Sequence, residues 1–308
     1  MRFSSTHHLL ASIPAPPGNT LNLGPLEFNY YGLMIALGVL AAVEIGRRRW
    51  MARGGDADDI TSIGTVGVPA GLVGARLYHV ITDWPTYFGS DGALAPIDAL
   101  KIWNGGLGIP GGLVVGLSAG AWQAHRRGIT GDRFWSLSDA VIPGVPVAQA
   151  IGRLGNWFNQ EIFGGPSTLP WAVEVDPEFR PARYAEFATF HPAFLYEGLL
   201  NLGLAAGLIL LDRRGSLKRG QIFPLWVVGY GTLRFAIETL RTDAANEILG
   251  IRVNHWISGL AVVIGLAWFW WMRNPSAAGS DGAVNVIEVA PDSNRDGNNH
   301  VDPSEMNT

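Results

Sequence analysis

The sequence predicts an all-α fold, a polytopic membrane bundle of about seven transmembrane helices. Of the 308 residues, 48% are hydrophobic and only 16% are charged, whereas soluble domains are roughly 25% charged. The 40 glycines and 12 tryptophans favour close helix packing and membrane interfaces, respectively. Apolar runs long enough to cross a bilayer also recur along most of the chain.

Seven apolar segments follow an amino-terminal stretch, residues 1–26, that we interpret as an extracytoplasmic lead-in. The segments are predicted at 30–46, 60–82, 105–124, 134–158, 194–211, 222–240 and 255–271. Together they make residues 27–273 one membrane domain. The third segment opens with so many glycines beside Pro110 that we expect broken backbone there, covered by protein or facing a polar ligand.

The distribution of basic residues predicts the orientation of the bundle. They are concentrated after the first, third, fifth and seventh segments, at Arg47, Arg48, Arg49, Arg53, Arg126, Arg127, Arg213, Arg214, Lys218, Arg219 and Arg273. Because lysine and arginine accumulate on the cytoplasmic side, the amino terminus is expected outside and the carboxyl terminus inside. Residues 159–192 then form a small extracytoplasmic cap, and the polar residues 274–308 form a disordered cytoplasmic tail.

Composition excludes several kinds of chemistry. The chain has no cysteine, which rules out disulfides, a cysteine nucleophile and thiolate metal sites. Histidine and carboxylates do not cluster at ligand spacing, so we predict no metal and no cofactor. The net charge of −4, without a long basic block, gives no indication of nucleic acid. Any thiol chemistry must therefore use the thiol of a partner.

Charged groups at the end of the fourth segment carry the first functional signal. An arginine such as Arg153 costs roughly 2.5–3.5 kcal/mol at the centre of a membrane helix, so we expect it to face protein or water. Asn156 and Glu161 follow it. Either Arg153 and Glu161 merely pair as an interfacial cap, or the group binds a ligand.

The sixth segment carries a polar stripe. Tyr230, Arg234, Glu238 and Arg241 are spaced by four, four and three residues, which places them on one helical face. The structural alternative is an internal pair between Arg234 and Glu238. Arginines bind phosphate well, so this stripe and Arg153 together predict an anionic phospholipid headgroup as ligand. Arg76 of the second segment either joins them or extends to the membrane surface.

The motifs around these residues resemble the signature of the prolipoprotein diacylglyceryl transferase family. The first is Gly152-Arg153-Leu154-Gly155-Asn156, followed by Asn159 and Glu161. Five further pieces agree in order, at 30–34, 74–77, 102–107, at His191-Pro192 with Tyr196-Glu197, and at 229–231 with Arg234 and Glu238. The resemblance runs from about residue 27 to 272.

The resemblance implies an activity and its partners. Such enzymes transfer the sn-1,2-diacylglyceryl group of phosphatidylglycerol to the thiol of the lipobox cysteine in a prolipoprotein, forming a thioether and releasing glycerol phosphate. The implied fold has seven membrane helices with the amino terminus outside. Phosphatidylglycerol, lipobox peptides and the lipid bilayer are the expected partners, and the plasma membrane is the expected location.

The family's functional residues are carried over by position. Those expected in catalysis are Arg153, Glu161, Arg234 and Glu238, and those expected to bind phosphatidylglycerol are Arg153, Asn156, Arg234, Tyr31, Gly164 and Arg76. One position departs from the pattern, since Pro110 stands where many members have a histidine that is an obvious base. Proline cannot accept a proton, so the candidate bases here are Glu161, Glu238, Glu197 and His191. We favour a carboxylate, helped by the field of the arginines.

Two other classes of function stay open. A transporter or flippase for an anionic phospholipid also uses arginine stripes and broken helices, but it should show coupling-ion ligands or paired halves, and the sequence shows neither. A membrane scaffold would use the polar groups only to join helices. It would tolerate alanine at Arg153 and Arg234 with a modest loss of stability.

Overall fold

The structure, a computed structural model, describes residues 12–24, 26–89, 94–102, 105–242 and 246–273. Most of this part is helical, as predicted, and its helices are α1 (Tyr30–Met51), α2 (Ala57–Thr82), α3 (Trp84–Phe88), α4 (Ile109–Arg126), α5 (Gly131–Val141), α6 (Gly144–Phe158), α7 (Ala193–Arg213), α8 (Ile222–Glu238) and α9 (Val253–Arg273). The predicted tail, 274–308, lies outside the described residues. So do Trp103 and Asn104 of the third motif.

Four helices of the described part, α1, α2, α7 and α9, are long and apolar enough to cross a membrane. The predictions of seven spans and of the orientation of the termini remain predictions. The remaining long helices reach only 15 to 18 residues.

Three short antiparallel hairpins, which the sequence did not predict, lie in the connections. They pair β1 (Thr20–Leu23) with β2 (Leu26–Asn29), β3 (Val173–Glu174) with β4 (Thr189–Phe190), and β5 (Glu247–Ile248) with β6 (Ile251–Arg252). Strands of two to four residues are too short to give a clear alternating pattern. Single 3-10 turns occur at Pro96–Leu100, Pro177–Phe179 and Ala182–Tyr184.

The predicted fourth segment is wrong as a single helix, because α5 ends at Val141 and α6 begins at Gly144. Pro143 has no N–H with which to continue the helical ladder. The guanidinium of Arg49 on α1 instead donates to the carbonyl oxygens of Asp139, at 3.1 Å, and Ala140, at 3.0 Å. The break is therefore held in place by a neighbouring helix.

Glycines bring α2 and α4 into backbone contact. A Cβ added at Gly74 would lie 2.5 Å from the carbonyl oxygen of Gly111, and one at Gly71 would lie 3.3 Å from that of Gly112. Small residues of this kind let membrane helices approach closely. The expected broken backbone is thus confined to the connection just before α4, where Gly105 and Gly106 adopt positive φ angles of 85° and 69°.

The cap loop, residues 159–192, packs on the end of the lead-in. Its buried cluster is formed by Phe163, Val173, Val175, Phe190 and Phe194, with Ile13 against it. The backbone of Ile13 donates to Ala172 at 2.8 Å and accepts from Glu174 at 2.9 Å. The indole of Trp157 also donates to the carbonyl of Pro14, at 3.2 Å. The part of the lead-in around Ile13 and Pro14 therefore packs with the cap beside the carboxyl end of α6.

Candidate functional site

An ion pair joins α6 to α7. The Nη2 atom of Arg153 lies 2.5 Å from Oε1 of Glu197, whose side chain is 1% exposed. The Nη1 atom of Arg153 donates to Oδ1 of Asn156 at 3.2 Å. The carboxylate partner of Arg153 is thus Glu197 and not Glu161, so the interpretation of Arg153 and Glu161 as a simple cap pair is wrong.

Glu161 is connected to the arginine through amides. Its Oε1 accepts from Nδ2 of Asn156 at 2.8 Å and from Nδ2 of Asn159 at 3.3 Å. On either side of it, Gln160 and Ile162 have positive φ angles of 50° and 56°. Such conformations cost non-glycine residues about 1–2 kcal/mol each and tend to be kept at functional sites. The exposed carboxylate is therefore held in a defined place.

A second cluster of charges lies at the end of α8. The Nη1 atom of Arg234 is 2.6 Å from Oε2 of Glu238, whose Oε1 lies 3.0 Å from Nε of Arg252 and accepts from Nδ2 of Asn254 at 3.2 Å. The contact between Arg234 and Glu238 falls outside hydrogen-bond geometry, so it is electrostatic. Glu238, 1% exposed, is shared by two arginines, and the structural alternative of a self-contained helical pair does not describe it.

Tyr230 is subject to the charges of both clusters. Its hydroxyl lies within hydrogen-bonding reach of Arg153, and the charges of Glu197 and Arg234 act on it from nearby. We call Arg153, Glu197, Tyr230, Arg234 and Glu238 the ionic layer. The charges of the two arginines that the sequence predicted to act together, on α6 and α8, therefore both act on one tyrosine, and their joint role in binding stays a prediction.

Tyr31 at the start of α1 closes the side of the layer next to Glu161. It interacts with Asn156, Glu161 and Arg153. A Cβ at Gly155 would lie 2.6 Å from Cδ2 of Tyr31, so only a glycine lets α1 and α6 approach closely enough for this contact.

Gly164 lies where the cap loop meets the end of α8. Its N–H donates to the carbonyl oxygen of His191 at 2.8 Å. A Cβ there would lie 2.9 Å from the carbonyl oxygen of Leu240 and 3.0 Å from Cβ of His191. The position shapes the loop that follows Glu161, and no described contact joins it to either arginine of the ionic layer.

Arg76 is not brought to the ionic layer by any contact of the described residues. It donates to four backbone carbonyl oxygens at 2.5 to 3.0 Å, those of Asp98, Ala99, Gly105 and Gly106. Its guanidinium also lies 5.3 Å from the ring centroid of Tyr87. These contacts favour a role in positioning the connection before α4, and its place in lipid binding stays a prediction.

Sequence reasoning named Glu197 only as a candidate base and Tyr230 only as part of the polar stripe, and it did not name Arg252 or Asn254. The i, i+4 spacing of Tyr230 and Arg234 and the carboxylate of Glu197 inside an apolar run were signals that could have found two of them. Nothing in the sequence indicated Arg252, which reaches Glu238 through the β5–β6 hairpin. Within the described ranges, no three metal-binding side chains lie together, and the absence of a metal stays a prediction.

Two cavities of the described part of the chain bear on the site. One of about 560 Å³ has Glu161 in its wall, together with Asn19, Asn29, Asn159, Gln160 and Thr242. The other, about 790 Å³ and almost wholly apolar, lies between α1, α2, α4, α5, α6, α8 and α9 and is lined by groups such as Ile142, Val145, Phe223 and Trp268. The first offers hydrogen bonds to a polar chain, and the second offers space to hydrocarbon.

Comparison with known proteins gives consistent matches. The profile of a family described as prolipoprotein diacylglyceryl transferase matches residues 19–271. A protein of Streptomyces coelicolor named phosphatidylglycerol–prolipoprotein diacylglyceryl transferase 2 is 47% identical over 254 residues, which is 82% of this chain and 78% of the relative.

Relatives from other bacteria agree. A protein of Rhodococcus jostii named phosphatidylglycerol–prolipoprotein diacylglyceryl transferase is 44% identical over 301 residues, covering 94% of this chain and 80% of the relative. One of the same name from Mycobacteroides abscessus is 45% identical over 272 residues, covering 84% and 78%.

Proposed function

The chain belongs to the prolipoprotein diacylglyceryl transferase family, and we propose that it transfers the diacylglyceryl group of phosphatidylglycerol to the lipobox cysteine thiol of prolipoproteins. The observation that carries this proposal is the ionic layer, in which Arg153 and Arg234 each lie beside a buried glutamate inside an apolar bundle and both act on Tyr230. The protein is a membrane protein. We place it in the plasma membrane with several spans, the amino terminus outside, and the cap loop on the outer side.

The ionic layer is the phosphate site of this proposal. Arg153 and Arg234 together with Arg252 supply three positive charges, and Glu197 and Glu238 supply two negative ones. A phosphodiester carries one negative charge and would balance the set. Arginine forks in a low-dielectric site bind such a group strongly. Arg153 and Arg234 also stabilise the negative charge that develops on the departing phosphate.

Glu161 is the proposed base. It is exposed, positioned by Asn156 and Asn159, and borders the polar cavity. Glu238 is held by two arginines and is better suited to positioning Arg234. Pro110 lies exposed in the first turn of α4 and supplies no proton acceptor. We therefore assign the role of general base to the carboxylate of Glu161.

The reaction then balances as a single displacement. The thiol proton passes to Glu161. The thiolate sulfur then attacks the carbon of the diacylglyceryl group that is bonded to the phosphate oxygen. The carbon–oxygen bond breaks, and its electron pair leaves with glycerol phosphate. A thioether joins the lipid to the peptide. The polar cavity beside Glu161, with its row of carboxamides, would hold the extended backbone of the client.

Transfer of labelled phosphatidylglycerol to a lipobox peptide by the purified protein in detergent tests this proposal. We expect lipidation of the cysteine peptide and none of a serine peptide. Glu161→Gln should lower the rate about 10²- to 10⁴-fold near neutral pH, the usual range for a general base. Part of that loss should return above the thiol pKa of about 8.5, because the thiol then ionises without a base.

Glu238→Gln is the matched control. It should also lose activity but gain nothing from high pH, because its role is to position Arg234. If Glu161→Gln kept full activity, Glu161 would be excluded as the base. If the wild-type protein bound the lipid but never modified the thiol, the transferase proposal itself would be abandoned.

A further inference from the structure

Apart from Nη1 of Arg234 and Oε2 of Glu238, which face each other, five buried side-chain atoms on α6, α7 and α8 have no hydrogen-bond partner among the described residues. They are Oε1 of Gln149, Oε2 of Glu197, Oδ1 and Nδ2 of Asn201, and Nε1 of Trp226. Asn201 is 0% exposed, with both polar atoms unpaired. Buried polar groups in proteins are normally paired, and membrane surroundings provide no water to replace a partner. Unpaired buried polar atoms on three helices of one bundle point to a ligand.

The three neutral residues lie one helical turn from the ionic layer, on the same faces. Gln149 precedes Arg153 by four residues, Asn201 follows Glu197 by four, and Trp226 precedes Tyr230 by four. Four residues rise about 6 Å along a helix. α6 ends at the cap loop, α7 begins there, and Gly164 of that loop lies beside the end of α8. On each of the three helices, the neutral residue is therefore farther from the cap than the charged or phenolic residue four positions away. We call Gln149, Asn201 and Trp226 the neutral layer.

An apolar cluster lies beyond the neutral layer on the same faces. It is formed by Ile142 and Val145 of the α5–α6 region, Leu204 and Leu208 of α7, and Ile222 and Phe223 of α8, with the ring of Trp226 packed on it. The ionic contacts on one side and this cluster on the other therefore bring the neutral layer together. Ile142, Val145 and Phe223 also line the apolar cavity of about 790 Å³.

We propose that the neutral layer binds the ester groups of the donor lipid; this rests on the proposed function. The order of layers matches the order of groups in a phospholipid: charged phosphate, neutral esters a few bonds away, then hydrocarbon. The N–H groups of Asn201 and Trp226 donate to ester carbonyl oxygens. An ester has no hydrogen-bond donor, so the proposal assigns only these two N–H groups, and the acceptor atoms of Gln149, Glu197 and Asn201 take no part in it. Because these atoms are closed to solvent, the lipid reaches them when α7 and α8 separate.

The test compares phosphatidylglycerol with its ether-linked analogue of the same chain length, which lacks both carbonyls. Their binding to the full-length protein in detergent is measured by competition without peptide. We expect the ester lipid to bind about fivefold to tenfold tighter, the value of one good hydrogen bond. Asn201→Leu, which replaces the amide by a hydrocarbon of similar size, should remove this preference without lowering the melting temperature. Trp226→Phe keeps a ring, removes the N–H and should reduce the preference in the same direction.

Gln123→Met is the matched control, because the amide of Gln123 on α4 is paired with Ser62 at 2.7 Å and lies outside the proposed site. It should lower stability and leave the ester preference intact. The proposal is overturned if the wild type shows no preference, if both layer variants keep it, or if both lose affinity for the two lipids equally. A protein that shows the preference but transfers nothing to peptide would contradict the proposed function and leave the ester site standing.

Discussion

The two ends of the helical bundle treat their buried charges in opposite ways. At the end away from the cap, Asp212 of α7 accepts from Arg49 at 2.7 Å and from Arg53 at 2.6 Å. Asp59 accepts from Trp50 at 3.0 Å and from Arg127 at 2.7 Å. At the cap end, the ionic layer and its neighbours keep several polar atoms without a hydrogen bond in the described part of the chain.

Asp139 shows how complete the pairing is at the end away from the cap. This buried carboxylate accepts from the backbone N–H groups of Gly220, at 2.6 Å, and Ile222, at 3.0 Å, and so caps the start of α8. Networks whose members are all satisfied stabilise a single arrangement, whereas partly satisfied ones are costly and are typical of functional sites. The comparison teaches that the charges at the first end stabilise the fold, and it supports the proposal that those at the second bind a ligand.

Exchanging arginine for lysine should give the largest difference in lipid transfer between the two ends of the bundle. Arg234→Lys is expected to lower kcat/KM for lipid transfer about 10²- to 10³-fold, because lysine keeps the charge but loses the fork that fits phosphate. Arg53→Lys should leave the transfer rate per folded molecule within about twofold. Equal losses of transfer activity in the two variants, after correction for folded protein, would contradict the different roles assigned to the two ends.

Removing a carboxylate at the end away from the cap should lower the stability of the protein rather than its transfer activity. Asp212→Asn leaves Arg49 and Arg53 facing a neutral amide, and we expect a loss of about 1–3 kcal/mol of stability, below the range for a fully buried pair because the side chain is 22% exposed. Thermal unfolding in detergent measures this. Asp132→Asn is the matched control, since its oxygen is 3.8 Å from Arg219 and both groups are exposed. A melting temperature that fell equally in both variants would count against the special role of Asp212.

The smallest effect is expected in the connection before α4, which belongs to neither end. Lys101, 2.5 Å away, and the N–H of Ala95, at 2.9 Å, hold the pKa of Asp98 below its usual value. A carboxyl whose pKa is lower when folded contributes stability above its unfolded pKa of about 3.9, and that contribution is lost as the pH falls through the folded pKa.

The protection of residues 94–102 against hydrogen exchange, corrected for the intrinsic exchange rate at each pH, should therefore fall on acidification below about pH 4. Asp98→Asn should show little of this change. If the variant responded to acid as the wild type does, another group would control the connection.

Much of the fold and site could be predicted because the signals are local. Helical spacing places Tyr230, Arg234 and Glu238 on one face whatever the rest of the chain does. The cost of a charge in lipid marks Arg153 for the same reason. The break at Pro143 was missed because the apolar run continues through it, and the carbonyls it frees are satisfied only by Arg49 of another helix.

The sequence by itself determined the class of protein, most of its helices, and the residue types of the proposed phosphate site. Only the tertiary structure decided the partners: that Arg153 pairs with Glu197, that Arg252 joins Glu238, and that Glu161 remains exposed beside a polar cavity. The physical reason is that the two kinds of feature depend on interactions over different distances along the chain. Positions along one helix are fixed by its 1.5 Å rise and 3.6-residue turn, whereas contacts between helices depend on the packing of the whole bundle, including the close approach that Gly155 allows.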